Sequence, residues 1–362
     1  MKRALFFWIA LLSTTAGQTA DVLLGFDLDA SDKQRELESR LASYISADDL
    51  HEWIEALAAK PHHVDSEHGK HNAAYIASLF KQWGYATRLA TYEVLIPVPK
   101  VRVVEMLEPE FFRATLEERI IESDSSTAMR DQVLPPYNAF SPDGDVVGNL
   151  VYVNYGTRED YETLDRYGVD VTGNIVIARY GKVWRGIKPK LAAEHGAIGA
   201  LIYSDPIDDG YVRGSVYPDG PYKNDSAIQR GAVMDLPLHA GDVLTPGWAA
   251  TKGARRLDRD EATAIATIPV LPISYADAEP LLKHLSGPMV PSDWRGALPI
   301  SYHLGPGPAQ VRLHVEFDWQ TVTARNVIAR RKGSVFPDEW VIRGNHHDAW
   351  NHGARDPVSG LV

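Results

Sequence analysis

From Val98 to about Val315 the chain is written in short β-forming runs cut by Pro, Gly and Asp, and on either side it is not. The runs VRVVEML, GNLVYVNYG, GNIVIARYG and AIGALIYSD are rich in branched and aromatic residues and bounded by turn formers, so they read as strands. A helix over about Ile187 to His195 falls between the last two, and GSVYPDGPYKND reads as a loop. Before this block the pattern is helical. A helix is expected over Asp32 to Ser46, with Leu37, Leu41, Tyr44 and Ile45 on one face. Ser46 then caps a second helix carrying Leu50, Trp53, Ile54 and Leu57, which ends before Pro61. A third covers about Lys70 to Trp83 and closes at Gly84, and the strand ATRLATYEVLIP follows. After the block, RNVIARRKG, FPDEW and WVIRGNHHD read as strand, turn and strand, with the apolar Val341-Ile342 pair marking a buried strand. This order fits an α/β domain holding a strand-rich insertion, and it fits two consecutive domains as well.

The start of the chain follows a different logic. Lys2 and Arg3 precede an apolar run, Ala4 to Leu12, and small and polar residues fill Ser13 to Ala20. That order predicts a secretory signal peptide over residues 1–20, cleaved near Gly17 or Ala20, and hence a secreted or periplasmic protein. The run is too short for a transmembrane segment, which takes about 20 apolar residues. The chain has no cysteine, so an exported product must rely on its core or on bound metal rather than on disulfides. Net charge is −11 with no basic block, which argues against nucleic acid as a partner. Asn224-Asp225-Ser226 is a formal glycosylation sequon.

Chemistry concentrates in the last stretch, GNHHDAWNHGARDPVSGLV, Gly344 to Val362. His346, Asp348 and Asp356 follow the expected buried strand, and open α/β sheets place ligand sites beyond the carboxyl ends of their strands. Neutral imidazole and carboxylate suit zinc. His346 and Asp348 share a side of an extended segment, so Asp348 can accept the ring N–H of His346 and fix its tautomer. The residues alone leave two readings open: one wall of a metal site, or a solvated polar loop. A second cluster, KPHHVDSEHGKH, brings together His62, His63, Asp65, Glu67, His68 and His71; without a strand-end framework it reads as a connection between two helices.

GNHHDAWNHGARDPVSG resembles the first metal-binding segment of the co-catalytic zinc peptidases typified by glutamate carboxypeptidase II. NLVYVNYG, GNIVIARYGKVWRG, YSDP, YPDG, QRG, LTPG and SDWRGALPISYHLGPG resemble, in the same order, that family's protease-associated (apical) domain. YATRLATYEVLIPVP and the helices before it resemble the start of its protease domain. The resemblance implies an α/β fold: a zinc-peptidase sheet domain at 30–99, resumed and incomplete at 320–362, with the β-rich apical domain inserted over 100–319.

The resemblance also assigns roles. His346 corresponds to a ligand of one zinc, Asp356 to the carboxylate bridging both zinc ions of a complete site, and Asp348 to the catalytically important partner behind the histidine. Arg185 corresponds to an arginine that grips the substrate's terminal carboxylate, a task that suits a guanidinium fork. Thr245 corresponds to part of a structural calcium site. The substrate implied is a peptide, with an acidic C-terminal residue, and homodimerisation follows from the family. Two departures bear on selectivity: Ala232 stands where glutamate carboxypeptidase II has a substrate-holding asparagine, and His347 replaces an arginine.

The reaction implied is hydrolysis at a chain end by zinc-activated water with a glutamate as general base. That glutamate, a further Asp and a distant His would lie after Asp356. The expectation is therefore an N-terminal fragment, inactive alone. Two alternatives remain: an aminopeptidase of the same family, and a transferrin-receptor-like binding protein that has lost its metal ligands.

Overall fold

The computed structural model describes residues 22–350. The signal-peptide expectation, His352 and Asp356 lie outside the described residues. The chain forms two compact units, one ending at Ala56 and the other beginning at Leu57.

In the first unit, helix α1 (Leu28–Ala42) starts at Asp27, whose carboxylate accepts from Ala30 N. Helix α2 (Ala47–Ala58), whose last two residues belong to the second unit, starts as the sequence predicts, with Ser46 Oγ accepting from Asp49 N at 3.1 Å.

In the second unit, helix α3 (Glu67–Gln82) begins three residues earlier than expected, because Ser66 accepts from Gly69 N and takes the cap. Gly84, at φ +80°, follows its C-terminus in the left-handed conformation that glycine adopts without strain. Two long strands come next in importance: β1 (Ala86–Glu108) and β9 (Gln310–Arg330). They pair antiparallel almost throughout, from Ala86↔Arg330 to Glu108↔Gln310. The predicted strands ATRLATYEVLIP and VRVVEML are thus one strand. The register shifts between Pro99 and Val101, where the chain passes from the expected protease domain into the expected insertion. Proline is tolerated there because, among the described residues, the outer side of β1 pairs with a strand only at its far end, the short strand β2 (Phe112–Arg113).

The rest of the main sheet is built from β4 (Gly144–Tyr152), β5 (Ile175–Arg179), β6 (Gly199–Tyr203) and β8 (Val270–Ile273). The strand order is β2-β1-β9-β4-β5-β6-β8. Strand β4 is antiparallel to β9, and β4, β5, β6 and β8 run parallel. Every residue of β5, β6 and β8 is buried, so these strands read as continuous apolar runs rather than alternating ones. A second, two-stranded sheet pairs β3 (Asn138–Ala139) with β7 (Gly231–Ala232) in parallel.

Helices α4 (Arg158–Tyr167), α5 (Ile187–Glu194), α6 (Pro206–Asp209) and α7 (Tyr275–Lys283) complete this part. Sequence reasoning found α5 and missed α4, although α4 carries full punctuation. Thr157 and Asp160 form a reciprocal capping box, and Gly168 ends the helix at φ +67°. The inserted block is therefore α/β at its centre and not only β-rich. The Asn224 side chain is buried and its carbonyl oxygen accepts from Ser226 N and Oγ, so the sequon is closed in the folded chain.

Candidate functional site

The segment after β9 departs from expectation. No strand forms over Val341-Ile342, and these two residues are 100% and 85% exposed. Among the described residues no neighbouring strand supplies hydrogen bonds or an apolar face to them, so a pair written for burial lies in extended coil.

The segment docks a few residues later. His347 Nε2 lies 3.0 Å from the Arg325 carbonyl, Ala349 N donates to the His62 carbonyl at 3.2 Å, and the Trp350 ring stands 5.8 Å from Tyr137. A carbonyl only accepts, so the His347 proton sits on Nε2. His347 thus anchors the segment to β9. Arg325 also reaches Asp65 at 2.6 Å, tying the start of α3 to β9 and to this segment.

His346 faces the other way, with its side chain 66% exposed. Its Nδ1 is 2.8 Å from the Asp348 carbonyl oxygen and 3.5 Å from the carboxylate Oδ1. Nδ1 is therefore the donor, and in the neutral ring the lone pair is on Nε2, the nitrogen left to a metal. The structure brings the two predicted residues together with one change of detail: the ring N–H is held chiefly by the Asp348 main chain. The carboxylate's other oxygen accepts from Trp350 Nε1 at 3.1 Å. Among the described residues, no group of three or more His, Cys, Asp or Glu side chains is arranged to hold a metal.

The competing histidine cluster is a helix connection. His62 and His63 point their Nδ1 atoms at carbonyls of Lys60 and Val64, Asp65 is held by Arg325, and the His68 and His71 rings stack at 5.5 Å.

Arg185 lies on the short loop between β5 and α5. Its guanidinium stands 4.5 Å from the Trp184 ring, and its buried Nε has no hydrogen-bond partner among the described residues. Trp184 Nε1 donates to the Met234 carbonyl at 2.9 Å. The start of the loop is held by Lys188 of α5, whose ammonium reaches back to the carbonyls of Tyr155 at 2.5 Å and Gly181 at 2.9 Å. Lys188 is 1% exposed, and burial brings its pKa down to about 7. Arg179 pushes in the same direction, and Asp160 and Asp208 oppose it. Sequence reading did not single out Lys188; a lysine beside Gly-Ile in a helix start carries no periodic signal. Ala232 pairs with Ala139 in the small sheet. Thr245 Oγ1 donates to Asp242 Oδ2 at 3.1 Å, and Asp242 Oδ1 accepts from Leu95 N at 2.7 Å.

The PA domain family matches residues 144–236, the stretch that holds β4, β5, β6 and Arg185. The chain is 35% identical over 316 residues to a probable glutamate carboxypeptidase, VP8, of Zea mays, covering 85% of this chain and 40% of that protein. It is 32% identical over 393 residues to the aminopeptidase NAALADL1 of Mus musculus, covering 98% of this chain and 52% of that one. Among solved structures, a peptidase M28 precursor from Shewanella amazonensis superposes with a TM-score of 0.44 at 18% identity. That match covers 88% of this chain and 58% of the other. The chain spans about half the length of the curated relatives it matches. Over that span it belongs to the glutamate carboxypeptidase II-like peptidase family, with a PA domain within it.

Proposed function

We propose that this chain serves an exported, zinc-dependent exopeptidase of the glutamate carboxypeptidase II type. The observation that carries the reading is the state of His346. Its Nδ1 proton is committed to Asp348, its ring is exposed, and its Nε2 is free for a metal. The donor chemistry fits zinc, with His346 and Asp356 as ligands of a two-zinc site and Asp348 holding the imidazole. A bound zinc pair supplies a more acidic water and a polarised scissile carbonyl. The chain's own residues do the rest of what can be assigned. Arg185 takes the terminal carboxylate of the peptide, and Asp348 keeps the imidazole in its ligating tautomer.

Export rests on the Lys2–Ala20 pattern. The proposed division keeps a split protease domain (30–99 and 320–362) around an apical domain (100–319), with β1 and β9 running through both junctions. Thr245 and Asp242 offer oxygen donors of the kind calcium takes, and a homodimer completes the proposal.

A second reading, an aminopeptidase of the same family, is favoured by Ala232 and by the mouse relative aligned across 98% of this chain. Hydrolysis assays on dipeptides with an acidic C-terminal residue, set against aminoacyl substrates, separate the two. No hydrolysis of either and no zinc would instead favour a binding protein.

A further inference from the structure

We infer that Gly231 is the positioning residue for Arg185, and that Asn138 fixes Gly231 in place. This deepens the assignment of Arg185 as the carboxylate-binding group and rests on it. A Cβ built at Gly231 would lie 2.3 Å from Arg185 Nη2, 2.5 Å from Cζ and 2.6 Å from Nε. Three guanidinium atoms at nearly one distance mean that the planar group lies across the glycine. The Trp184 ring stands 4.5 Å from the same guanidinium. Arg185 is thus bounded by a ring and by bare backbone, which orients a flat cation without using its hydrogen-bonding edge. Its Nε keeps an uncommitted proton.

The backbone floor is itself built. Gly231 adopts φ +136°, which favours glycine for a second reason. It pairs with Asn138 across β3 and β7, and Asn138 Nδ2 donates to the Gly231 carbonyl at 3.1 Å. Asn138 is fully buried, and its amide also reaches Tyr180 Oη at 3.2 Å, which donates to the Gln229 carbonyl at 2.9 Å. These contacts hold both sides of Gly231, so its carbonyl and Cα are fixed relative to the Arg185 loop. The group that would clash with an added Cβ is the end of a flexible side chain. A Gly231→Ala chain is therefore expected to relieve the clash by displacing Arg185, while the strain of alanine at φ +136° lowers its melting temperature.

The test is NMR of the 362-residue chain labelled with ¹⁵N-arginine, following the Arg185 Nε–Hε signal, assigned by its loss in Arg185→Lys. The expected result is a slowly exchanging signal in the parent that shifts and exchanges at least tenfold faster in Gly231→Ala, read well below that chain's lowered but still cooperative melting transition. An unchanged signal in Gly231→Ala, or a signal already averaged in the parent, overturns the proposal. Should Gly231→Ala not fold, Trp184→Leu reads the same seat from its other face, with the same two outcomes. In the full-length gene product, Gly231→Ala is expected to raise KM for a C-terminally acidic dipeptide about tenfold with kcat little changed. Combined with Arg185→Gln it should add nothing further, whereas additive losses overturn the coupling. Loss of Arg185 order with KM unchanged in both Gly231→Ala and Arg185→Gln keeps the seat and rejects the carboxylate reading instead.

Discussion

His346 gives its Nδ1 proton to the Asp348 main-chain oxygen at 2.8 Å, with the Asp348 carboxylate 3.5 Å from the same nitrogen. Backbone and side chain of one residue thus set the tautomer together. Asp348→Asn keeps the carbonyl contact and removes the charge. It should weaken zinc binding by the full-length gene product about 10- to 100-fold, the usual cost of losing a supporting carboxylate. Isothermal titration with zinc measures this, and unchanged affinity would mean that the main-chain contact suffices.

Arg325 links Asp65 to the segment that carries His346. Burial raises the Asp65 carboxyl, but hydrogen bonds from Arg325 and Thr323 N, with the charges of Lys70 and Arg325, outweigh it and hold the pKa below 3.8. A depressed folded pKa adds stability that is present above 3.8 and is lost as pH falls through the folded value. Asp65→Asn should cost about 1 kcal/mol at neutral pH, with the deficit disappearing in acid. Urea denaturation at pH 6 and at pH 3 checks the prediction; an equal deficit at both would assign the effect to packing.

Lys188 has the opposite signature. Its folded pKa is about 7 against 10.5 when solvated, so the unfolded chain binds more protons between these values. The penalty of holding the ammonium among Tyr155, Arg179, Asp160 and Asp208 is present in full below about pH 7 and is relieved as pH rises. Stability of the parent should therefore gain up to about 1.4 kcal/mol per pH unit between 7 and 10 relative to Lys188→Met. Parallel slopes for the two chains would contradict the depressed pKa.

Ile177 and Leu201 face each other across β5 and β6 with no exposed surface. Either one changed to Ala should cost about 2–5 kcal/mol, read as a shift in the urea midpoint with an unchanged slope. A cost below about 1 kcal/mol would mean that the centre of the sheet repacks freely.

What the sequence made legible follows from how local each signal was. Ser46 and Gly84 act within a turn of their own helices, and both predicted boundaries stand. Strands β5 and β6 were readable because burial on both faces writes an uninterrupted apolar run. Helix α4 was missed because strongly polar REDYETLDRY sat inside a block already read as strands, despite its capping box. Val341-Ile342 misled because an apolar pair signals a need for burial, not the presence of a partner. At the site, the pairing of His346 with Asp348 was readable from a spacing of two. The seat of Arg185 was not, because it depends on Gly231 and Asn138, which chain order keeps far from the loop.

The central claim is that His346 is a zinc ligand of an exopeptidase. Its most direct test is zinc content and dipeptide hydrolysis by the full-length gene product, with His346→Ala beside it. The expected result is zinc-dependent hydrolysis that a chelator abolishes and added zinc restores. His346→Ala should lose both metal and activity while melting as the parent does, since the side chain is 66% exposed. Full hydrolysis by His346→Ala, or a parent that binds no zinc and cleaves nothing, would contradict it.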